Sequence, residues 1–269
     1  MSYLTNKNVL ITGGASGIGR LIAVEAARRD ARLILVDRDA AGLDSLRAEL
    51  AAGGCAVSTH VCELADRDAI AATADRVLAA CGRVDVLVNN AGIVAGKYLL
   101  DLSDAEIERT FAVNTLALYW TTRAFLPAMI ESDAGHVVTV ASAGGLVGSP
   151  RLTAYSASKF AAVGFDESLR MELRRQGLHI KTTVVCPFYI DTGMFEGVRT
   201  RFPWLLPILS PAYAARRIVR AIEHGRRRVL MPRVVHLIWL ARLLPVSMFD
   251  RLMAFLGVTT AMDRFTGRE

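Results

Sequence analysis

Six short apolar runs rich in β-branched residues, at 9–11, 33–36, 57–61, 84–88, 136–141 and 180–185, punctuate the sequence. Five longer stretches of helical period, 17–30, 40–52, 66–81, 104–130 and 153–176, lie between them, each long enough to cross back over a sheet. A run such as Leu33-Ile34-Leu35-Val36, with no polar alternation, needs cover on both faces, and flanking helices supply it. The pattern predicts an α/β fold built on a doubly wound parallel sheet. No Gly/Ser/Pro linker precedes residue 190 and no fixed repeat is present, so the 269 residues read as one domain.

The first run ends in Thr12-Gly13-Gly14-Ala15-Ser16-Gly17-Ile18-Gly19, which places Gly13, Gly17 and Gly19 between a strand and a helix. That spacing lets the backbone turn tightly and bring helix N–H groups against a pyrophosphate, although turn geometry alone also asks for one or two glycines. Eighteen residues beyond Gly19 the second run ends at Asp37, where a carboxylate can accept from both ribose hydroxyls and repel a 2′-phosphate. Arg38 next to it would instead grip that phosphate, so NAD is the expected cofactor and NADP the alternative. Asn89-Asn90-Ala91-Gly92 follows the fourth run and offers small and amide side chains beside a ribose. Ser142 closes the fifth run, and thirteen residues later Tyr155 and Lys159, at i and i+4, share one helical face. A phenol with pKa near ~10 is a poor base at neutral pH, but a nearby ammonium and an oxidised nicotinamide both favour the phenolate.

Taken together, these motifs and Asn114 resemble the short-chain dehydrogenase/reductase family, in its order and spacing, over residues 8–192. The resemblance implies a Rossmann-like single domain, a seven-stranded parallel sheet with helices on both faces, and assembly as a homodimer or homotetramer. It also implies a catalytic tetrad. Tyr155 would exchange a proton with the substrate oxygen, Ser142 would hydrogen-bond that oxygen, and Lys159 would hold the nicotinamide ribose and lower the tyrosine pKa. Asn114, within the predicted helix 104–130, would position a water linking Lys159 to solvent. Thr12, Gly13, Ser16, Gly17, Ile18, Gly19, Asp37, Arg38, Glu63, Leu64, Asn90, Ala91, Gly92, Pro187, Ile190 and Thr192 would bind the cofactor alongside Tyr155 and Lys159. Two positions depart from the family's usual pattern: Glu63 stands for an Asp, and Pro187-Phe188 for Pro-Gly. Segments 114–129, 135–142 and 158–165 are similar to the branch of retinol dehydrogenases and lipid-droplet 17β-hydroxysteroid dehydrogenases, which implies an apolar substrate: a retinoid, a steroid or a long-chain alcohol or aldehyde.

Composition narrows the setting. Cys55, Cys62, Cys81 and Cys186 share no CxxC spacing, which argues for a reducing cytosol over a disulfide framework or a metal site. Residues 1–7 lead straight into the first strand, so no leader is expected, and the longest uncharged stretches, 134–150 and 202–215, are broken by Gly or Pro before they reach membrane-spanning length. The net charge of +6 resides in the last quarter, where residues 199–269 hold 13 Arg against four acids. No stripe of cations interleaved with aromatics accompanies it, so no nucleic-acid partner is expected.

Past residue 192 the texture changes. Residues 1–192 are expected to form the cofactor and catalytic core, and 193–269 a substrate lid and C-terminal extension. Phe195, Phe202, Trp204, Leu205 and Leu206, in an irregular stretch 193–215, suit a lid that excludes water, or equally packing against a sister subunit or the core. Residues 229–258 read as apolar helices preceded by Arg226-Arg227-Arg228, which fits peripheral contact with a membrane or a buried dimer helix. The functional expectation is an NAD-dependent oxidoreductase on a bulky apolar alcohol/carbonyl pair, cytoplasmic and at most peripheral to a membrane. The alternatives are an NADP-dependent carbonyl reductase and a catalytically silent nicotinamide-binding scaffold.

Overall fold

Seven parallel strands form one sheet in a computed structural model that describes residues 3–267. The strands are β1 (Asn8–Thr12), β2 (Arg32–Asp37), β3 (Val57–Val61), β4 (Val86–Asn89), β5 (His136–Val140), β6 (Lys181–Pro187) and β7 (Arg228–Met231). Their spatial order is β3-β2-β1-β4-β5-β6-β7. The chain winds outward from β1 to β3, then returns to pair β4 with β1 and winds the other way. This reversal opens a crevice at the carboxyl ends of β1 and β4, where an open α/β sheet takes its ligand.

Helices α1 (Gly17–Ala27), α2 (Ala40–Ala52), α3 (Arg67–Cys81), α4 (Asp104–Phe111), α5 (Ala117–Glu131), α6 (Thr153–Arg175) and α7 (Pro211–Glu223) cover the two faces. One core layer joins Ile11, Leu33, Leu35, Val88 and Val185 to α1, α2 and α7; the other joins Leu10, Ile34, Leu87 and Val137 to α3, α5 and α6. Alternate residues of the same strand thus enter opposite layers, as their uninterrupted apolar runs require. Local chemistry sets the helix starts. Asp39 and Asp66 accept from the first-turn amides of α2 and α3, Ser103 and Glu106 form a reciprocal capping box on α4, and Ser210 followed by Pro211 opens α7.

The structure revises several boundaries. The predicted helix 104–130 is two helices, α4 and α5, separated by a π-helical turn at Ala112–Leu116 that contains Asn114. The fourth strand starts at Val86, two residues later than expected. The irregular stretch ends at Ser210, because Pro211 begins α7. The predicted apolar helices over 229–258 begin as strand β7, then continue as a 3₁₀ segment (Arg233–Leu237), α8 (Ile238–Ala241) and α9 (Val246–Phe255). β3 is the sheet edge, and Ser58 and Val61 face solvent, so its burial is less complete than that of the central strands.

Candidate active site

Each motif singled out in the first 192 residues stands at the carboxyl end of the sheet: Thr12 ends β1, Asp37 ends β2, Glu63 follows β3, Asn90 follows β4, Ser142 follows β5 and Pro187 ends β6. Thr12 ties the crevice together, its hydroxyl accepting from the backbone of Asn90 and Ala91. Asn90 returns the link by donating its amide to the carbonyls of Thr12 and Gly13, at 3.0 and 3.2 Å. Gly13 and Gly17 adopt φ of +66° and +56°, in the left-handed region where a side chain is strained. A Cβ on Gly13 would stand 2.9 Å from the Ala91 Cα, and one on Gly19 would overlap the Gly13 carbonyl oxygen. The elbow is therefore bare backbone leading into α1, whose first turn carries no acidic residue. Such a helix start attracts an anion.

Asp37 accepts from the backbone N–H groups of Ala15 and Asp39, which fixes its carboxylate beside the elbow. Arg38 is exposed and lies 3.9 Å from Glu63, which also pairs with Arg109 at 2.8 Å and accepts from the Ala65 amide. These partners hold the Glu63 carboxyl below its ordinary pKa despite the opposing cost of burial. Leu64 is buried beneath it. On the opposite wall Thr192 approaches Gly17, its Cβ 3.8 Å from where a Cβ on that glycine would stand. Ile190 is buried and pairs with Leu209. Ser16 occupies the N-cap position of α1 without a side-chain capping bond, and Ile18 enters its first turn. Asn90 Oδ1 is buried with no protein partner. An uncluttered elbow, an open helix start, an acid at the second strand and a buried carbonyl oxygen without a partner all fit a dinucleotide.

Tyr155, Lys159, Ser142 and Asn114 converge at the far end of this crevice. The Lys159 ammonium donates to the Val140 carbonyl at 2.9 Å and lies 5.8 Å from the Tyr155 ring centroid. Asn114 accepts from the Ile93 N–H at 2.8 Å and donates to the Ile93 carbonyl at 2.9 Å and to Ser158 at 3.0 Å. Ser158 in turn donates to the Tyr155 carbonyl at 2.6 Å. Asn114 makes these bonds from within the π turn, a local widening of the helix that occurs frequently at functional sites. Gly92 fits between them, since a Cβ there would lie 3.3 Å from Lys159 Nζ and 3.4 Å from Asn114 Oδ1. Ser142 accepts from the Gly144 amide and hydrogen-bonds Tyr155.

Burial dominates the titration of this pair. Tyr155 is only 6% exposed and its phenol is pushed up to about 12, with the Ser142 hydrogen bond the opposing, lowering influence. Burial likewise lowers Lys159 to about 8. Without cofactor, the protein holds a neutral phenol, poised as an acid.

An apolar cavity of about 560 Å³ opens directly onto Ser142 and Tyr155. Of the five predicted lid residues, Phe195, Leu205 and Leu206 line it, whereas Phe202 packs against Trp204 and Phe255 and Trp204 faces solvent. The rest of the wall includes Leu152 and Tyr189, which the sequence did not mark, and Ile238, Leu252 and Met253, which it read as part of an apolar membrane-contact or dimer segment. Tyr189 is the most informative omission. It makes edge contacts with Phe188 and Phe195, and Phe195 makes one with Tyr155, forming a chain of edge-on aromatic contacts that ends at the Tyr155 ring. The replacement of Pro-Gly by Pro187-Phe188 was the available signal.

The short chain dehydrogenase family model matches residues 7–202. The chain belongs to that family. This short-chain dehydrogenase falls in the retinol dehydrogenase branch, being 43% identical over 265 residues to epidermal retinol dehydrogenase 2 of Mus musculus, across 97% of this chain and 85% of the relative. Among solved structures it is similar to a short chain dehydrogenase/reductase from Burkholderia phymatum in complex with NAD, with TM-score 0.81 and 28% identity over 96% of this chain and 98% of that one. It is also similar to a metagenomic short-chain oxidoreductase in complex with NADP, with TM-score 0.71 and 33% identity over 85% of this chain and 97% of that one. It is accordingly a nicotinamide-dependent oxidoreductase acting on CH–OH groups. Among the described residues no cluster suited to a metal ion occurs, and no helix is long and apolar enough to cross a membrane.

Proposed function

We propose that this short-chain dehydrogenase interconverts a bulky apolar alcohol, of retinoid, steroid or long-chain lipid type, with its carbonyl compound, using NAD. The observation that carries this reading is the cavity: its wall is almost entirely aliphatic and aromatic, and its polar end is formed by Ser142 and Tyr155. Only a molecule with one oxygen and a long apolar body satisfies both ends. The name of the mouse relative, a retinol dehydrogenase, agrees with that shape.

In the forward direction the substrate hydroxyl is held by Ser142 and gives its proton to the Tyr155 phenolate as the carbinol carbon gives up a hydride. A nicotinamide dinucleotide held in this crevice would supply the hydride acceptor and, when oxidised, a positive charge that favours the phenolate. Lys159 orients the ribose and provides an ammonium near the phenol, and Asn114 holds the Ile93 backbone and Ser158 in register behind it. Water is kept away by the Phe195 and Tyr189 rings, which matters because hydride transfer competes poorly in a wet site. NAD is favoured because Asp37 is fixed at the ribose end by two amides while Arg38 is turned toward Glu63.

The test is nicotinamide absorbance during turnover of primary and secondary alcohols of graded chain length. kcat/KM is expected to rise roughly tenfold or more from short to long chains, on the basis of about 0.8 kcal/mol per buried methylene; a flat series would sink the apolar-cavity reading. In the same assay Asp37→Ala is expected to weaken NAD and improve NADP, shifting the ratio of their kcat/KM values by about 10- to 100-fold toward NADP as one charge-assisted contact and one repulsion are lost. An unchanged ratio would assign cofactor choice to other residues.

A further inference from the structure

The helices that wall the cavity have a second apolar side. Leu240 both lines the cavity and is 65% exposed, and beside it Leu243 and Val246 are 81% and 76% exposed. Trp204, Trp239, Met248 and Phe255 continue the exposed apolar set on the same lid and C-terminal segment. On α9 the residues Phe249, Leu252, Met253 and Leu256 face the core, so Met248, Arg251 and Phe255, at i, i+3 and i+7, form the outward stripe. Arginines are interleaved with these side chains. Arg201 lies over Phe202 and Phe255, Arg228 over Trp239 and Arg242 over Phe249, while Arg233 and Arg251 are exposed. Between residues 226 and 255 six Arg face one acid, Asp250.

We infer that this face, formed by Trp204 and the segment Leu237–Phe255, docks on an anionic lipid surface and presents the mouth of the cavity to it. Singly, exposed Leu, Val and Met side chains are ordinary at a surface, but clustered on one segment they form the kind of apolar patch that marks an interaction site. Tryptophans at the rim and exposed guanidinium groups such as those of Arg233 and Arg251 are the side chains a headgroup layer accommodates, while Arg201 and Arg242 lie along the apolar surface and donate to the Phe255 and Leu146 carbonyls. The excess of Arg over acid complements phosphate charge, whereas a second copy of this chain would bring the same positive charge against itself. An apolar substrate dissolved in the bilayer would then reach Tyr155 past Leu240 without crossing water. This clause rests on the proposed substrate class; the docking itself does not.

The test is co-sedimentation of the whole protein with phosphatidylcholine vesicles, with and without phosphatidylglycerol, at low and high salt. The wild type is expected to pellet with the anionic vesicles and to be released by salt. Leu243→Asp/Val246→Asp, which alters two side chains outside the cavity, should bind at least ~tenfold more weakly, as two buried apolar contacts and two added negative charges dictate. The variant should retain turnover of a short water-soluble alcohol and lose turnover of a long alcohol supplied in vesicles. Wild type remaining in the supernatant with every vesicle, or variant and wild type pelleting alike, would overturn the inference. So would a wild-type dimer that the variant dissociates in light scattering, which would assign the face to a second copy. Because vesicle binding is read without turnover, its failure leaves the proposed reaction standing, and failure of the reaction leaves the docking standing.

Discussion

Tyr155→Phe is expected to lower kcat by about 10²–10⁴-fold, the range over which one positioned proton donor or acceptor acts, while cofactor affinity changes by less than about threefold. The phenylalanine ring keeps the edge contact with Phe195 at 5.6 Å and the packing against Leu152 and Met262, so the fold around it has no cause to change. Only the hydroxyl is removed, and with it the partner of Ser142. Its pH dependence gives the role a second, independent signature. Burial holds the free phenol at about 12 and lowers Lys159 to about 8, so alcohol oxidation, which needs the phenolate, should speed up as pH rises from neutral and less steeply above about 8, where the Lys159 ammonium is lost. Carbonyl reduction, which needs the phenol, should stay flat from neutral to about pH 8. The Ser142 hydrogen bond lowers the phenol pKa, so Ser142→Ala should move the alkaline rise to still higher pH as well as lower the rate. Rate profiles of both directions, with a direct titration of cofactor binding, check this. A Tyr155→Phe protein within about threefold of wild-type turnover would place the acid/base elsewhere.

Lys159 shows where sequence reasoning meets its limit. The spacing of Tyr155 and Lys159 was enough to put both on one face of α6, and the structure brings them together. The expectation that the lysine sets the tyrosine pKa concerns a balance of energies that spacing does not contain. With both side chains buried, desolvation raises the phenol and lowers the ammonium, and the influence that opposes the rise of the phenol is the Ser142 hydrogen bond. Asn114 is a similar case. Its helical neighbours have an unbroken helical pattern, so the sequence reads as one helix from 104 to 130. The π turn coincides with the Asn114 amide completing the hydrogen bonds of Ile93, twenty-one residues away, a tertiary contact with no local signature. The central strands were legible for the opposite reason: residues such as 33–36 are buried on both faces, and that leaves a mark in every position. β7 has only four residues at a sheet edge and merges with apolar sequence on its far side, so it was reached through the family resemblance and not from its own pattern. The lid lay between these extremes. Its composition announced an apolar cover, yet which rings turn inward depends on how 193–210 folds back over Tyr155, and Trp204 turned outward.

Gly19→Ala is expected to abolish measurable binding of both NAD and NADP, a loss of about 100-fold or more, although the added methyl is small and carries no charge. A Cβ at this position would overlap the Gly13 carbonyl oxygen and crowd the Asn90 side-chain amide. Neither neighbour can retreat cheaply. The Gly13 oxygen is backbone in a turn already at φ +66°, and Asn90 is held by the Thr12 and Gly13 carbonyls at 3.0 and 3.2 Å. Relief requires the first turn of α1 to move away from β1, which pulls the helix N–H groups off the point where they would meet a pyrophosphate. Overpacking of this kind costs typically about 1–3 kcal/mol, or about 10- to 100-fold, before the lost phosphate contacts are added. Gly164→Ala is the matched control. It lies within α6, meets nothing within 4 Å, and should bind cofactor normally while gaining about 0.5–1 kcal/mol of stability from helix propensity. Calorimetric titration of each protein with each cofactor, alongside thermal unfolding, separates the outcomes: wild-type affinity in Gly19→Ala would mean that the elbow is not where the diphosphate sits, and the assignment of the crevice between β1 and β4 would fail with it.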